Sequence, residues 1–258
     1  MTDIRYLGLA AFEITNDRGK KVLIDPFLDD NPVSPIKSDQ LKQVDLILVT
    51  HAAFDHLGDA AKIAKRFGAP VICGSDVRAY LLKQGLPAEK LIGTIWGVTV
   101  EQAGMKVKSV ESRHWSSMIA PDGTFYSGPP MGFILYADPG VRVYHSGDTV
   151  LFGDLKLLGE LYRPNIALLN VSTGEITSGP FAEPTHLFTG EMTPYEAALA
   201  AQWLGAEYAI PMHFLDCNED VETFVDVISK MAPDGKRFVR PVVLKPGETF
   251  TCQGKEAD

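Results

Sequence analysis

The segment from Val44 to Thr50 constrains the fold more than any other part of the sequence. Its residues, Val-Asp-Leu-Ile-Leu-Val-Thr, are nearly all apolar or β-branched. Such a run is typical of a strand that is covered on both faces by other layers of structure. A helical pattern at about 57–67 and a short strand at Val71–Cys73 follow it. The segment therefore predicts an α/β protein with this strand inside a sheet.

Strand-rich and helix-rich stretches alternate twice along the chain, over approximately residues 1–110 and 130–251. The second stretch ends with two helix–strand units. The first of these units opens with the capping box Thr193-Pro-Tyr-Glu, which has proline at the first helical position. A chain of 258 residues is long enough to bury a large core. We predict a single domain over residues 1–258 that is built from these two β-plus-α halves.

The composition is that of an ordinary globular protein. Apolar residues make up 45% and charged residues 22% of the chain. The 33 acidic residues outnumber the 24 basic residues, and the net charge of −9 disfavours nucleic acid as a partner. No apolar run reaches the ~18 residues of a membrane-spanning helix. We expect a small-molecule substrate and no nucleic acid or membrane partner, and leave homo-oligomer formation open.

The cysteines and the N-terminus point to the cytoplasm. Cys73, Cys217 and Cys252 show no paired spacing, so a disulfide framework is not expected. The first residues enter a strand-like pattern at once and carry no signal-peptide pattern. We therefore predict a cytoplasmic protein.

Histidine and aspartate residues follow the ends of four predicted strands. These six residues are His51, Asp55, His56, His114, Asp148 and His213. Loops at one edge of a sheet can converge on a single point. Imidazole nitrogens and carboxylate oxygens are ligands for Zn, Mn or Fe. A single such histidine could be an ordinary polar loop residue, but the set predicts a site for one or two divalent metal ions.

The two aspartates of this set have distinct predicted roles. A divalent ion lowers the pKa of bound water toward neutrality and polarises a carbonyl or phosphoryl oxygen. Asp55 lies beside His56 and could bind a metal or orient the hydroxide, so we name it as a catalytic residue. Asp148 could bridge two ions, because a carboxylate can offer one oxygen to each.

Several motifs resemble those of the metallo-β-lactamase superfamily. The segment Thr50-His-Ala-Ala-Phe-Asp-His-Leu-Gly-Asp resembles its His-x-His-x-Asp-His signature. Three later segments resemble its remaining ligand motifs in order: Ser112-Arg-His-Trp-Ser-Ser, Tyr144-His-Ser-Gly-Asp-Thr and Ile210-Pro-Met-His-Phe. Three further segments are similar to a branch of hydrolases related to ascorbate-phosphate lactonase: Tyr6-Leu-Gly, Leu23-Ile-Asp-Pro and Met192-Thr-Pro-Tyr-Glu-Ala-Ala. The resemblance covers nearly the whole chain.

The resemblance implies a four-layer αββα sandwich with metal ions at one edge, between the two sheets. It also implies hydrolysis of a lactone, an amide, a phosphodiester or a similar bond. We expect a metal-dependent hydrolase in which a metal-bound hydroxide attacks a small ester, lactone or amide. A phosphodiesterase is the alternative within the enzyme class.

Ala53 departs from the superfamily pattern, which has a histidine at its position. An alanine side chain has no donor atom, so we expect one weakened site that uses His51 and His114. The other predicted site is intact and consists of Asp55, His56, Asp148 and His213. Three interpretations stay open: one metal suffices, a water or substrate atom fills the position, or the chain binds metal or ligand without turnover.

Other positions near these motifs have weaker assignments. Leu9 and Asn170-Val-Ser-Thr-Gly also depart from the pattern of the lactonase branch, which leaves the substrate open. His186 lies in a segment, 173–191, whose composition is typical of a lid or binding loop, and it could face substrate or replace the missing ligand. Trp115 could line a substrate pocket or belong to the core. His145 fits an outer supporting role better than a ligand role.

Overall fold

A computed structural model describes residues 1–173, 175–176, 187–188, 190–216, 218–231 and 238–254, with backbone alone for 175–176 and 187–188. Its strands are β1 Thr2–Gly8, β2 Ala11–Thr15, β3 Lys21–Ile24, β4 Leu46–Leu48, β5 Val71–Cys73, β6 Leu91–Gly93, β7 Thr99–Gln102, β8 Met105–Glu111, β9 Ser116–Ile119, β10 Phe125–Gly128, β11 Met131–Asp138, β12 Val141–His145, β13 Ile166–Asn170, β14 Glu175–Ile176, β15 Leu187–Phe188, β16 Tyr208–Met212, β17 Arg240–Pro241 and β18 Thr249–Cys252. Its helices are α1 Phe54–Leu57, α2 Ala60–Phe67, α3 Ser75–Lys83, α4 Leu155–Tyr162, α5 Pro194–Leu204 and α6 Glu219–Lys230.

Two seven-stranded sheets form the centre of the described structure. The first sheet has the order β18-β1-β2-β3-β4-β5-β6, and the second has the order β17-β16-β13-β12-β11-β8-β7. In the first sheet β3, β4, β5 and β6 run parallel. In the second sheet β12, β13, β16 and β17 run parallel. Each sheet therefore gathers the carboxyl ends of several strands at one edge, which is where loops can build a site.

The side chains of β4 show why its sequence is apolar on both faces. Leu46 and Leu48 lie in the buried cluster between the two sheets, together with Phe12, Phe133 and Leu168. Ile47, between them, lies in a second cluster on the outer face of the first sheet. Alternate residues of a strand point to opposite faces, so both faces of β4 are covered. The prediction from Val44–Thr50 is confirmed.

Helices cover the outer face of each sheet. Ile63 of α2 and Val77 of α3 pack in the outer cluster of the first sheet. Leu155 of α4, Leu204 of α5 and Phe224 of α6 pack in the outer cluster of the second sheet. The layers are therefore helix, sheet, sheet and helix, and the predicted αββα sandwich is confirmed. None of the described helices is long and apolar enough to cross a membrane.

The two sheets do not coincide with the two predicted sequence halves. Strand β7 and all but the last residue of β8 lie within residues 1–110, but both strands belong to the second sheet, and β18 pairs with β1 in the first. The predicted halves are therefore stretches of sequence and do not correspond to the two sheets, because strand pairing joins segments that are distant in sequence. The helix α4 and the strand β13 were not among the predicted elements.

Candidate metal centre

Four histidine side chains surround one oxygen of Asp148. The Nε2 atoms of His56 and His213 lie 3.1 and 3.4 Å from Asp148 Oδ2. Those of His51 and His114 each lie 3.9 Å from the same oxygen. The structure therefore brings these five predicted residues to one point, although they are up to 162 residues apart (His51 to His213).

Asp55 completes the predicted set. Its Oδ2 lies 3.2 Å from Nε2 of His213 and 4.0 Å from Nε2 of His56. We call Asp55, His56 and His213, with the shared Asp148, the Asp55 side of the centre. We call His51 and His114, with the same Asp148, the Ala53 side.

The strand ends of both sheets supply these residues. His51 follows β4 of the first sheet, whereas His114, Asp148 and His213 follow β8, β12 and β16 of the second. A hydrogen bond from the Met131 amide to the Thr50 carbonyl (3.1 Å) joins the two sheets at this edge. Gly147, directly before Asp148, has φ +57°, and a Cβ there would lie 2.9 Å from the Met131 carbonyl oxygen and from Thr50 Cβ. The turn that carries Asp148 therefore requires glycine.

Three of the five non-glycine residues with positive φ in the described structure lie at or next to this centre. Asp25, Leu9 and His213 have φ values of +48°, +52° and +69°, in the left-handed region that non-glycine residues rarely adopt. The His213 amide donates a 2.9 Å hydrogen bond to the Leu9 carbonyl, which holds two of these residues together. Strained backbone of this kind clusters at functional sites, where the surrounding structure maintains it.

On the Asp55 side, a carboxylate contacts Nδ1 of each histidine, which is the ring nitrogen that faces away from Asp148. Nδ1 of His56 lies 2.7 Å from Oδ2 of Asp25, and Nδ1 of His213 lies 3.0 Å from Oε2 of Glu191. Each carboxylate favours a proton on Nδ1, which leaves Nε2 to face Asp148. Metal-binding histidines usually have such a partner on their second nitrogen.

On the Ala53 side, neutral acceptors contact Nδ1 of both histidines. Nδ1 of His114 lies 3.3 Å from the Gly190 carbonyl oxygen, and Nδ1 of His51 lies 3.1 Å from Thr50 Oγ1. The Thr50 hydroxyl donates its proton to Asp25 Oδ2 (2.7 Å), so its oxygen can accept from His51. All four histidines therefore present Nε2 to the centre with an acceptor behind Nδ1.

Three buried side-chain atoms at the centre or in contact with it have no hydrogen-bond partner within the described part of the chain. They are Nε2 of His51, Oδ1 of Asp148 and Oε2 of Glu191, the last of which lies beside His213 as an ion pair. A buried polar atom without a partner is costly, so its presence in a folded protein indicates a further ligand. Imidazole nitrogens and carboxylate oxygens suit Zn, Mn or Fe. The residues present therefore fit a divalent cation.

On the Asp55 side, the histidines and the carboxylates stabilise each other's charged forms. Burial alone would lower the pKa of His56 and His213, but Asp148 and the other nearby carboxylates raise both well above the ordinary value of 6.5. Burial would raise the pKa of Asp148, but His213 and His56 hold it well below its usual range. Likewise, His56 and His213 outweigh burial and lower the pKa of Asp55 to about 2. Two imidazolium charges thus balance these carboxylates when no cation is bound.

The pKa of His51 is shifted in the opposite direction, downward. Burial and the neighbouring His56 lower its pKa to about 3, so its ring is neutral at physiological pH. A neutral imidazole is the form that binds a metal ion. The Ala53 side therefore keeps a competent donor at His51.

Ala53 is the N-cap residue of α1, and its carbonyl accepts from the amides of His56 (3.1 Å) and Leu57 (2.8 Å). The loop before it is also fixed, because the Ala52 amide donates to Ser116 Oγ at 2.9 Å. The backbone is therefore well formed where the superfamily pattern would place a histidine. Only the donor atom is missing.

The donor atoms on the Ala53 side are less tightly gathered. Three groups of potential ligands in the described structure have donor atoms within 4.8 Å of one another: His51 with His56 and Asp148; Asp55 with His56 and His213; and Asp148 with Glu191 and His213. His114 belongs to none of them. The Asp55 side therefore has the better geometry for a metal ion.

Asp25 and Glu191 were not among the predicted site residues. Asp25 is fully buried, and its Oδ1 also accepts the Thr50 amide at 2.8 Å. Burial would raise its pKa, but His56 lowers it. Asp25 follows β3 directly, so the strand-end pattern used for the other residues could have found it. Glu191 follows no predicted strand, and only tertiary structure reveals its contact with His213.

The remaining candidates have different outcomes. Trp115 stacks on the His114 ring (centroids 4.8 Å apart) and is 40% exposed, which excludes a place in the core. His145 binds two backbone groups, the Ala10 carbonyl through Nε2 (2.9 Å) and the Gly147 amide through Nδ1 (3.1 Å). It therefore supports the Asp148 turn and has no nitrogen left for a metal. His186 and Cys217 lie outside the described residues.

Asn170 stabilises the turn that carries Asp148. Its side-chain oxygen accepts from Ser146 Oγ (3.1 Å), and its side-chain amide donates to the Thr149 carbonyl (3.0 Å). The residue that departs from the lactonase pattern is therefore fully buried behind Asp148.

Comparison with known proteins identifies the family. The profile of the Beta-lactamase superfamily domain matches residues 20–214. A "UPF0173 metal-dependent hydrolase" of Rubrobacter xylanophilus is 41% identical over 214 residues, which are 83% of this chain and 81% of the relative. A protein of the same name from Thermococcus onnurineus is 38% identical over 252 residues, which are 96% and 98% of the two chains.

Solved structures agree with this assignment. Igni18, described as a novel metallo hydrolase from Ignicoccus hospitalis, has a TM-score of 0.74 and 30% identity over 98% of this chain and 99% of its own. An isothiocyanate hydrolase from Delia radicum gut bacteria has a TM-score of 0.69 over 98% and 100% of the two chains; at 17% identity its likeness concerns the fold alone.

The fold and the site thus define a hydrolase of the metallo-β-lactamase superfamily. Within that superfamily, this chain belongs to the family of metal-dependent hydrolases that includes the Rubrobacter and Thermococcus proteins. The predicted superfamily and enzyme class are confirmed.

Proposed function

We propose that this hydrolase cleaves a small, neutral ester, lactone or amide with the help of a divalent metal ion on the Asp55 side. The observation that carries the proposal is the orientation of the four histidines. Each has an acceptor behind Nδ1 and presents Nε2 toward Oδ2 of Asp148. Metal-binding histidines usually have this arrangement.

Each residue of the Asp55 side has a role in this proposal. His56, Asp148 and His213 would hold the ion, and Asp55 would either join them or orient the attacking water. A bound divalent ion lowers the pKa of water and polarises the scissile carbonyl. The side chain of Asp55 is 18% exposed and that of Asp148 only 5%, so Asp55 is the more accessible of the two to water. Its low pKa keeps it ionised and able to accept a hydrogen bond from that water.

Apolar side chains next to the site residues support a substrate with an apolar part. Phe54 precedes Asp55, Trp115 follows His114, and Leu215 lies two residues after His213. All three are large and well exposed; Phe54, for example, is 64% exposed and packs edge-on against Phe27 at 5.7 Å. Adjacent exposed apolar groups at a polar centre are typical of a small-molecule binding site.

The charges near the site favour this substrate class over a phosphodiester. Arg113, beside His114, already pairs with Glu111 (2.9 Å) and lies 3.9 Å from Asp154. The segment 173–191 contains no lysine or arginine. Phosphate recognition usually uses such cations in addition to a metal. Phosphodiester hydrolysis is therefore the second candidate, and the substrate of the lactonase branch, which carries a phosphate, is disfavoured by the same argument.

The metal count follows from Ala53. We propose one firmly bound ion on the Asp55 side and a second, weaker position on the Ala53 side. The cation itself would be Zn, Mn or Fe, since the donors are imidazole and carboxylate. A protein that binds metal without turnover is the alternative, because the missing donor would then have removed activity.

Metal analysis and a substrate panel test the proposal together. Purified protein should bind about one equivalent of Zn, Mn or Fe with high affinity. It should hydrolyse apolar esters, lactones or amides faster than phosphodiesters of similar size. Faster cleavage of the phosphodiesters would establish the second candidate. Bound metal without turnover of any of these substrates would favour the binding protein, and no affinity for any of the three ions would refute the metal site.

A further inference from the structure

Two consecutive residues contact histidines on both sides of the centre. Gly190 and Glu191 directly precede the segment that leads into α5. The Gly190 carbonyl oxygen lies 3.3 Å from Nδ1 of His114, and Glu191 Oε2 lies 3.0 Å from Nδ1 of His213. One short piece of backbone therefore reaches the Ala53 side with one residue and the Asp55 side with the next.

The Glu191 side chain is held in a buried position. It is 9% exposed, and the His213 ring it contacts is 13% exposed. The contact is an ion pair, because Oε2 of Glu191 lies close to Nδ1 but outside hydrogen-bond geometry. A carboxylate beside Nδ1 favours a proton on that nitrogen, which leaves the Nε2 lone pair available on the opposite side of the ring. In this structure the opposite side faces Asp148, at 3.4 Å from Oδ2. Glu191 thus selects the orientation of His213 that a metal ion on the Asp55 side needs.

Gly190 fits closely against the second histidine. A Cβ at this position would lie 3.2 Å from Nδ1 and 3.5 Å from Cε1 of the His114 ring. Any larger residue would therefore press on the ring and on the carbonyl contact at once. The peptide unit between Gly190 and Glu191 is planar, so the carbonyl that meets His114 and the residue that meets His213 move together.

We propose that Gly190 and Glu191 form a positioning element that sets both histidines for metal binding, with Glu191 as the positioning residue for His213. This inference rests on the proposed metal-dependent function. It assigns Glu191 no direct contact with the ion. In the competing role Glu191 is itself a ligand on the Asp55 side, since its carboxylate lies within 4.8 Å of donor atoms of both Asp148 and His213.

Two substitutions at Glu191 separate these roles. Glu191→Gln keeps an oxygen that accepts the Nδ1 proton of His213, whereas Glu191→Ala removes every acceptor. A positioning residue should therefore tolerate glutamine. The expected loss of Zn affinity is about 10–100-fold for Glu191→Ala and clearly smaller for Glu191→Gln. Glu160→Gln, an exposed residue on α4, is the matched control and should leave the affinity unchanged.

Imidazole NMR of the Zn-loaded protein reports the contact itself. The Nδ1 proton of His213 should be observable and protected from exchange in the natural protein and in Glu191→Gln, and should exchange rapidly with water in Glu191→Ala. This readout does not depend on hydrolysis. Equal losses in the two variants, together with a lower metal count, would show that Glu191 is a ligand and would overturn the positioning role.

Gly190→Ala tests the second contact. We expect it to weaken metal binding on the Ala53 side and to shift the His114 ring resonances. Gly153→Ala is its control, because nothing lies within 4 Å of a Cβ built at that glycine. If natural protein binds Zn but neither Glu191→Ala nor Gly190→Ala changes affinity or the ring signals, the positioning element is refuted and the metal-dependent function stands. If natural protein binds no Zn, both are refuted.

Discussion

The two sides of the metal centre share Asp148 but differ in how closely their other donors approach it. On the Asp55 side, the Nε2 atoms of His56 and His213 lie 3.1 and 3.4 Å from Asp148 Oδ2. On the Ala53 side, those of His51 and His114 lie 3.9 Å away. The Asp55 side also has carboxylates behind both histidines, whereas the Ala53 side has a hydroxyl and a carbonyl.

The comparison shows that a ligand can be absent while its surroundings are retained. Ala53 still caps α1, and the Ala52 amide is still fixed by Ser116. His51 and Asp148 still present buried atoms, Nε2 and Oδ1, that have no partner within the described structure. We therefore propose that the number of bound metal ions depends on a few donor atoms and not on the fold alone.

Asp148→Asn should have the largest effect, because both sides use this carboxylate. Replacing one anionic oxygen by an amide removes the shared charge, and hydrolysis should fall by at least about 10²–10³-fold, as when a group that stabilises transition-state charge is lost. Metal content measured after dialysis should fall with activity. Circular dichroism checks that the variant is folded, and a folded variant with full metal content would contradict the shared role.

Replacing a histidine on one side at a time should show that the two sides bind metal independently. His56→Ala should abolish the firmly bound ion, whereas His51→Ala should leave about one equivalent in place. The reason is that His56 belongs to the closely gathered set of Asp55, Asp148 and His213. Titration with Zn against a chelator measures both affinities. Equal losses from the two substitutions would show that the sides are not independent.

Ala53→His should make the two sides more alike. A histidine at this position restores the donor atom of the superfamily pattern, so we expect the metal content to rise toward about two equivalents. The measurement is metal analysis of natural protein and variant purified side by side, with Ala53→Leu as a control that adds bulk without a donor atom. An unchanged count in Ala53→His would mean that another group already completes the Ala53 side.

The smallest expected effect is on stability as a function of pH in metal-free protein. His56 and His213 have raised pKa values, so their contribution is present below the unfolded pKa of 6.5 and is lost as the pH rises through their folded pKa. His51 and His145 have lowered pKa values because they are buried, so their contribution is lost as the pH falls below 6.5. The free energy of unfolding should therefore be greatest near pH 6.5.

Metal binding should increase the free energy of unfolding above pH 6.5 relative to that of the metal-free protein. Because the ion replaces protons on the histidines, loaded protein should keep its stability as the pH rises above 6.5. Urea denaturation at about pH 5.5, 6.5 and 8.5, with and without Zn, measures both profiles. Metal-free protein that becomes steadily more stable up to about pH 8.5 would contradict the charge balance described for the Asp55 side.

Much of the centre was predictable because its residues follow apolar strands that the sequence reveals. His51 and His213 are examples: each comes just after a buried run, and parallel strands bring their ends to one edge. Asp25 obeys the same pattern, since it directly follows β3, but it was not among the predicted site residues. Glu191 could not be found this way, since its contact with His213 depends on tertiary structure.

The fold, like the site, was predictable from local sequence patterns only in part. The pattern of β4, in which each face is apolar, predicted a strand that is covered on both faces, whereas the four layers were expected from the resemblance to the metallo-β-lactamase superfamily. The pairing of β18 with β1, and of β7 and β8 with the second sheet, joins distant segments and has no local signal. These pairings are why the predicted halves differ from the two sheets.

The central claim is that the Asp55 side binds a metal ion more firmly than the Ala53 side. A crystal structure of the protein with Zn, with anomalous scattering data, tests it most directly because the data locate ions and their ligands together. We predict the strongest anomalous peak among Asp55, His56, Asp148 and His213, with a weaker peak or none between His51 and His114. A strongest peak between His51 and His114, or no peak at the centre, would contradict the account.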